Sequence, residues 1–263
     1  MQIAIIGCGN MGRGLAQRLS KTHQLFLFDR HFDKAEKLGH EGYGIACKDI
    51  NQNLISSAMV ILAVKPQDLK EAAQLIGNKL IASQILVSLL SGTSIAVLKA
   101  CFPNVQIVRM MPNLALMYGE GVIGLTSDRP NQELVEAQEV FEVLGNIYWL
   151  PENKMDALTA LTGSGPAFFY VMIESMVDAG IAMGFSAKDA ASMVQQMLHG
   201  SLVHLEASKQ HPGELKWQIA SPGGTTIAGL KKLEEEGLRG NIINTFLASY
   251  ERALQLSSQL DAI

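Results

Sequence analysis

Met1–Gly14 reads MQIAIIGCGNMGRG, and the rest of the chain is organised around it. Gln2–Ile6 is a short apolar run with β-branched residues, which reads as a buried strand. Gly7, Gly9 and Gly12 follow in the spacing G-x-G-x-x-G. In a nucleotide site each has its own task. Gly7 permits the tight turn, Gly9 lets backbone approach a pyrophosphate with no Cβ in the way, and Gly12 lets the next helix pack close to the strand. That helix, Asn10–Ser20, places Met11, Leu15 and Leu19 on one apolar face. Its free N–H groups, beginning at Asn10 and Met11, and its positive dipole end would point at the phosphates. The motif alone is weak, since glycine is common. Here a strand precedes it, an apolar-periodic helix follows it, and an acid stands at the expected distance, which favours a dinucleotide site over a structural glycine turn.

The chain has 263 residues, enough for one large domain or two modest ones. At 48% hydrophobic and 17% charged it is a folded globular sequence. A net charge of −4 without a Lys/Arg cluster gives no reason to expect nucleic acid as a partner. Cys8, Cys47 and Cys101 are far apart and show no metal spacing, so no metal site is expected and they read as reduced structural thiols of a cytoplasmic protein. The sequence opens directly on its first strand, leaving no room for a signal peptide. The most apolar helical stretch, Ala167–Met183, contains Glu174 and Asp178, which argues against a membrane span.

Gln24–Phe28 is a second strand, ending at Asp29, twenty-two residues after Gly7. A carboxylate there accepts hydrogen bonds from the adenosine ribose hydroxyls and repels a 2′-phosphate, which favours NADH. The neighbouring Arg30 either binds a 2′-phosphate through its planar fork or is a solvated surface charge. The rhythm repeats: helix Asp33–Leu38, strand Ser57–Val64, helix Pro66–Leu80 with Pro at its first turn, strand Ile85–Ser88, helix Ser94–Ala100, strand Val105–Met110. This alternation predicts a parallel sheet with helices on both faces. Ligands in such sheets lie beyond the carboxyl ends of the strands, here Gly7, Asp29, Lys65-Pro66, Ser88–Gly92 and Met111-Pro112-Asn113. Lys65 and Asn113 are therefore candidate cofactor contacts, or else loop residues satisfying local backbone. Gly119–Thr126, a helix from about Asn131 to Leu144, and Asn146–Leu150 complete this half. The pattern changes at Pro151. The expected division is a dinucleotide-binding domain over 1–150 and a helical domain over 151–263.

The second half shows no convincing strand. Its helix from about Pro166 to Met183 is apolar almost all round, through Phe168, Phe169, Val171, Met172, Ile173, Met176, Val177 and Ile181. Such a helix must be buried on nearly all sides. So small a domain offers few helices to surround it, so a partner subunit is expected to cover the rest; wrapping by the chain's own helices is the alternative. Ser186 with Asp189 resembles a capping box opening a helix to about Ser208, and Pro212 starts another ending near Ala220. Then comes Ser221-Pro222-Gly223-Gly224-Thr225-Thr226, followed by an expected helix Ile227–Glu236 with Gly237 as its C′ residue. Two glycines beside hydroxyls at a helix start form a small anion cradle. A plain cap needs only one Ser or Thr, so the double glycine favours a binding role. Ser164-Gly165-Pro166 is a second small-residue helix start, functional or an ordinary turn.

With these residues in view, the sequence resembles the pyrroline-5-carboxylate reductases nearly end to end. The resemblance is carried by Ile5–Gly12 (IIGCGNMG), Ala63–Gln67 (AVKPQ), Arg109–Asn113 (RMMPN), Thr162–Phe168 (TGSGPAF) and, most specifically, Ile219–Leu230 (IASPGGTTIAGL). It implies an α/β fold: an N-terminal Rossmann-like dinucleotide-binding domain and a C-terminal all-helical domain that interlocks in a homodimer, in some members assembled into decamers. It implies hydride transfer from NAD(P)H to the C=N carbon of 1-pyrroline-5-carboxylate, giving L-proline. Gly7, Gly9, Asn10, Met11, Gly12, Asp29, Arg30, Ala63, Val64, Lys65, Pro66 and Asn113 would then hold the cofactor. Ser221, Gly223, Gly224 and Thr225 would hold the substrate carboxylate, with Ser164 and Gly165 beside it, and Thr226 would hydrogen-bond the ring nitrogen. The sequence departs from the family at Leu114-Ala115, where Thr-Pro is usual, at Ser91-Gly92, where Ala-Gly is usual, and at Asp29, where NADPH-using members often carry a small or amide residue.

A protonated cyclic imine is already a strong electrophile, so the expected task of the protein is mostly alignment. The six histidines are scattered outside every motif, and no single side chain is expected to be an indispensable general acid. A rival reading is a β-hydroxyacid dehydrogenase of the same plan, which resembles this family but uses a lysine early in the helical domain. Here no Lys, Arg or His lies between Lys154 and Lys188. A second rival, a non-catalytic NAD(P)H-binding sensor, has no need of both the Gly223-Gly224 cradle and Ser164-Gly165-Pro166.

Overall fold

A computed structural model describes residues 1–50, 55–129 and 134–261 of the chain. It divides into two compact units, Met1–Gly163 with Ser249–Ile263, and Ser164–Ala248.

The first unit is built on β1 (Gln2–Ile6), β2 (Gln24–Phe28), β3 (Ile45–Ala46), β4 (Met59–Leu62), β5 (Ile85–Ser88), β6 (Gln106–Pro112), β7 (Gly121–Ser127) and β8 (Gly145–Trp149). They form one sheet in the order β3-β2-β1-β4-β5-β6-β7-β8. The reversal on either side of β1 is the doubly wound arrangement, with a crevice at the switch point. Ile3 pairs with Leu25 on one side and Met59 on the other, which sets the register of the centre.

Successive residues of these strands alternate between two cores. Ile3, Ile5, Leu25, Leu27, Met59 and Ile61 join Leu15, Ala16 and Leu19 of helix α1 (Asn10–Leu19) and Ala35 and Leu38 of α2 (Phe32–His40). Ala4, Ile6, Phe26, Phe28, Val60 and Leu62 join Leu69, Ala72 and Ile76 of α3 (Leu69–Ile76) and Leu98 of α4 (Ile95–Cys101). Both faces are covered, so β4 is buried at every position, as its unbroken MVIL run requires. Each such leucine or isoleucine contributes about 1.5–3 kcal/mol by leaving water.

Several features differ from expectation. The sheet is parallel from β3 to β6, but β7 runs antiparallel to β6, and β8 lies parallel to β7. Only residues 113–120 connect β6 to β7, too few for a parallel crossover. The two-residue β3 is an added edge strand. The expected helix Pro66–Leu80 is a 3-10 turn, Pro66–Asp68, followed by α3, which stops at Ile76. The helix expected from Asn131 begins outside the described residues; its described part is α5 (Val135–Phe141), running into a 3-10 turn at Glu142–Leu144.

Strands end at Trp149, two residues before the change of pattern at Pro151. The compact unit continues further, because Met155 and Leu158 of the one-turn helix α6 (Met155–Leu158) are buried in it. Gly124 of β7 makes room for Leu158: a Cβ there would meet Leu158 Cδ2. Glu152 Oε1 receives Arg109 Nη1 at 2.6 Å and the Ile95 N–H at 2.7 Å. Ser257 Oγ donates to Asp156 Oδ1 at 2.8 Å, tying the last helical residues to the same unit.

Among the described residues the second unit is helical: α7 (Gly165–Ala182), α8 (Ala187–Ser208), α9 (Pro212–Ile219), α10 (Thr225–Glu235) and the first half of α11 (Leu238–Asp261). Ser186 caps α8 through its Oγ, which accepts the Asp189 N–H at 3.1 Å. Gly180 lets α7 approach α8, since its Cβ would lie 2.9 Å from Ala190 Cβ. Phe168 and Phe246 meet edge to face at 5.3 Å. Only Gly165 and Gly180 of α7 are buried within the single chain. Tyr170 is 68% exposed and Val171 61%. The chain's own helices therefore do not wrap α7, and the all-round apolar pattern is left facing outward. No helix among the described residues is long and apolar enough to cross a membrane.

Candidate functional site

At the switch point the three glycines behave differently. Gly7 has φ +104°, and a Cβ on it would lie 2.6 Å from the Ala63 carbonyl oxygen. A Cβ on Gly12 would collide with the Gly7 carbonyl oxygen. Both glycines are needed for the loop itself. A Cβ on Gly9 would meet nothing within 4 Å. The space it leaves is outside the fold, where an approaching phosphate would lie. Gly9 is also the N-cap of α1, with no side-chain cap. Its carbonyl accepts the Arg13 N–H at 2.8 Å, and the N–H groups of Asn10, Met11 and Gly12 precede the first helical bond. The cradle fits the pyrophosphate of a dinucleotide.

Beside it lies a cavity of about 270 Å³. Gly7, Gly9, Asp29, Arg30, Ala63, Val64 and Lys65, all expected at the site, line it. Asp29 first serves the loops: its Oδ2 accepts the Cys8 N–H at 2.8 Å and its Oδ1 the His31 N–H at 2.9 Å. Each oxygen retains a lone pair for a ribose hydroxyl. Arg30 is neither free nor fully solvated, because its Nη1 donates to Asp68 Oδ1 at 2.9 Å and Glu71 Oε2 at 3.4 Å. Burial pushes the Cys8 thiol up to about 12, and the adjacent Asp29 carboxylate adds to the rise. Cys8 is thus an inert filler of the loop. Pro66 starts the 3-10 turn whose Asp68 N–H donates to the Lys65 carbonyl at 2.9 Å.

Asn113 does not line this cavity, and both ends of its amide are engaged. Its Nδ2 donates to the Thr162 carbonyl at 3.2 Å, and its Oδ1 accepts the Val122 N–H at 3.2 Å. The residue is a brace that fixes the start of β7. Beyond these two bonds the amide keeps a second N–H and a second lone pair.

In the second unit, α10 begins at Thr225, two residues earlier than expected. Thr225 and Thr226 are therefore the first two helical residues. Gly223 has φ +67°, reversing the chain ahead of the helix. Gly224 is the N-cap, without a side-chain cap, and its N–H donates to the Ser221 carbonyl at 3.1 Å. A Cβ on Gly224 would lie 2.4 Å from Ser221 Oγ, so glycine is what lets that hydroxyl sit over the helix start. The first helical bond of this end is Ala228 N–H to the Gly224 carbonyl at 3.3 Å. The N–H groups of Thr225, Thr226 and Ile227 come before it and sit at the positive end of the dipole.

Ser164-Gly165-Pro166 opens α7, with Pro166 in its first turn, but not as a free helix end. Thr159–Ser164 is a π-helical turn that passes directly into α7, and Ser164 is itself in helical geometry with no cap bond. Thr159 and Thr162 hydroxyls donate back to the Met155 and Leu158 carbonyls at 2.8 and 3.0 Å, relieving the widened turn. Gly165 is buried against Phe246, whose Cε1 would lie 3.2 Å from an added Cβ.

The cavity is also lined by His31, Lys34, Gln67, Asp68, Glu71 and Leu75, which sequence reasoning passed over. A signal was available. His31 and Lys34 directly follow the acid at the end of β2. Gln67 to Leu75 occupy the first turns after β4, at the carboxyl edge where ligands of such sheets bind.

The family model for pyrroline-5-carboxylate reductase dimerisation matches residues 152–256, and that for NADP oxidoreductase, coenzyme F420-dependent, matches residues 2–92. The pyrroline-5-carboxylate reductase of Aquifex aeolicus is 34% identical, with 97% of each chain covered. That of Synechocystis is 33% identical, covering 98% of this chain and 99% of the other. Among solved structures, a pyrroline-5-carboxylate reductase from Coxiella burnetii superposes with a TM-score of 0.86 at 25% identity over 97% of both chains. The Plasmodium falciparum enzyme, solved with NADP bound, gives 0.85 at 27% identity over 98% of both. The likeness takes in the glycine loop at one end and the Gly223-Gly224 helix start at the other, and this chain belongs to the pyrroline-5-carboxylate reductase family.

Proposed function

We propose that this chain reduces 1-pyrroline-5-carboxylate to L-proline as a homodimer, with NADH preferred over NADPH. The dinucleotide-binding part is residues 1–150, and the substrate-binding and dimerising part is residues 151–263. The observation that carries the reading is the uncapped start of α10, with Gly223 turned to positive φ and Ser221 Oγ seated over Gly224. Such an end binds a small carboxylate without needing a cation. The dipole contributes about 0.3–1 kcal/mol at a surface and about 2 kcal/mol if partly buried.

A dinucleotide held by the glycine loop would supply a hydride to C5 of the protonated imine, whose C=N electron pair would pass to nitrogen. The chain's residues align and hold. Ser221 Oγ and the free N–H groups at Thr225 and the residues after it receive the carboxylate, with Gly223 and Gly224 leaving room for its approach and Ser164 and Gly165 beside them. Thr226 Oγ1 hydrogen-bonds the ring nitrogen as it changes from iminium to amine. Gly7, Gly9, Asn10, Met11 and Gly12 hold the pyrophosphate, and Asp29 the adenosine ribose. Ala63, Val64, Lys65 and Pro66 form the neighbouring wall.

The deciding assay adds 1-pyrroline-5-carboxylate to the protein with NADH. Oxidation of NADH matched by formation of proline is expected. Oxidation of β-hydroxyacids with NAD in its place, or NADH binding without turnover, would overturn the reading in favour of its two rivals.

A further inference from the structure

Arg30 is the cation beside the acid that ends β2, the place from which a guanidinium fork grips an adenosine 2′-phosphate. Its geometry in this structure is committed elsewhere. Nη1 lies 2.9 Å from Asp68 Oδ1 and 3.4 Å from Glu71 Oε2, while Asp68 sits in the 3-10 turn after β4 and Glu71 on α3. All three residues line the same cavity, together with Asp29. The Asp68 side chain is the less exposed partner, at 21%.

We infer that Asp68 and Glu71 are specificity residues: they hold Arg30 away from a 2′-phosphate and so select NADH. The inference rests on the dinucleotide reading of this site and gives its NADH preference a cause. Three carboxylates, from Asp29, Asp68 and Glu71, stand around one arginine already matched by two of them. NADH brings a neutral ribose hydroxyl to this end, which Asp29 can accept. NADPH brings a further dianion, which must displace the carboxylates from Arg30 and approach all three. Exposed ion pairs are individually weak, so the selection comes from the repulsion and the engagement of Nη1 by both carboxylates acting together. Lys34, on the first turn of α2, and Lys65 also line the cavity, and the test separates them from Arg30.

The test compares the binding of ADP-ribose and 2′-phospho-ADP-ribose to the full chain by calorimetry, so that no turnover is needed. Wild type is expected to bind ADP-ribose the more tightly. Asp68→Asn with Glu71→Gln is expected to raise the affinity for 2′-phospho-ADP-ribose relative to that for ADP-ribose about tenfold. Adding Arg30→Ala to that pair is expected to erase the gain. An unchanged ratio in the double variant overturns the inference, and so does a gain that persists without Arg30, which would place it on Lys34, Lys65 or on charge alone. Wild-type preference for the phosphorylated fragment overturns the NADH reading itself. Should the double variant lose ADP-ribose as well, Glu71→Gln alone, on an exposed side chain, gives the same comparison with a smaller expected gain.

Discussion

Gly9 and Gly12 belong to one motif, yet the missing side chain acts on different partners at each. At Gly12 it makes room for backbone, and at Gly9 it makes room for nothing in the fold. Gly12→Ala is therefore expected to force the loop apart and lower stability by about 1–3 kcal/mol, seen in chemical denaturation. Gly9→Ala is expected to leave the denaturation midpoint unchanged and weaken ADP-ribose binding; equal losses of stability in both would refute the distinction. Cys8, between them, makes a second residue-scale prediction. With its thiol pushed up to about 12, the thiolate is about one part in ten thousand at pH 8. Alkylation of the native protein at pH 8 should spare Cys8 and label it after denaturation. The sign for stability follows from proton binding. The folded state keeps this proton above the ordinary 9.0, where the unfolded chain loses it, so stability falls as pH rises from 9 toward 12. Cys8→Ala should flatten that alkaline loss. The glycine roles were legible in the sequence because spacing fixes them. The use of Asn113 as a brace was not, since its partners Thr162 and Val122 are set by the fold.

Helix α10 shows at the scale of one element why an uncapped end is informative. Gly224 supplies no side chain, and the Thr226 hydroxyl is not spent on a cap. Thr226→Ala is expected to lower kcat while the denaturation midpoint stays within error of wild type. Full kcat and KM in that variant would remove Thr226 from the ring nitrogen. The elements themselves were largely readable: short apolar runs located β1, β2 and β5, the helical spacing of Met11, Leu15 and Leu19 located α1, and the Ser186–Asp189 cap located the start of α8, each nearly to the residue. What failed to read off had local causes. Two residues of β3 are too short to show a period. The antiparallel sense of β7 comes from the brevity of residues 113–120, a signal of length that composition does not carry. Ser164-Gly165-Pro166 does begin α7, but the π-helical turn Thr159–Ser164 ahead of it was not legible, because Pro in a first turn looks the same after a loop as after a π-helical turn.

For the whole molecule the unsolved problem within one chain is α7. Its sequence is apolar almost all round, but within the single chain only two glycines are buried, and Tyr170, Val171 and Ile181 stand outward. The exposed apolar set continues on other helices of the same unit through Leu202, Val203, Trp217, Ile219 and Ile243. Monomeric proteins rarely present so broad an apolar surface, and residues 152–256 match the dimerisation model of the family. A stable pair needs about 800 Å² from each partner, which a surface of this breadth can supply. Val171→Glu tests the consequence. In a single chain that position is open to water, so a glutamate there is tolerated. In a dry interface it must leave water unpaired, which costs several kcal/mol. Wild type is expected to run as a dimer by light scattering, with a thermal midpoint that falls on dilution. The variant is expected to run as a monomer whose midpoint no longer depends on concentration. Its ADP-ribose affinity should persist, because every residue lining that cavity lies in the first unit. A Val171→Glu protein that remains dimeric at micromolar concentration would place the contact on another face. One that also loses ADP-ribose would show that the nucleotide cradle is not formed until two chains meet.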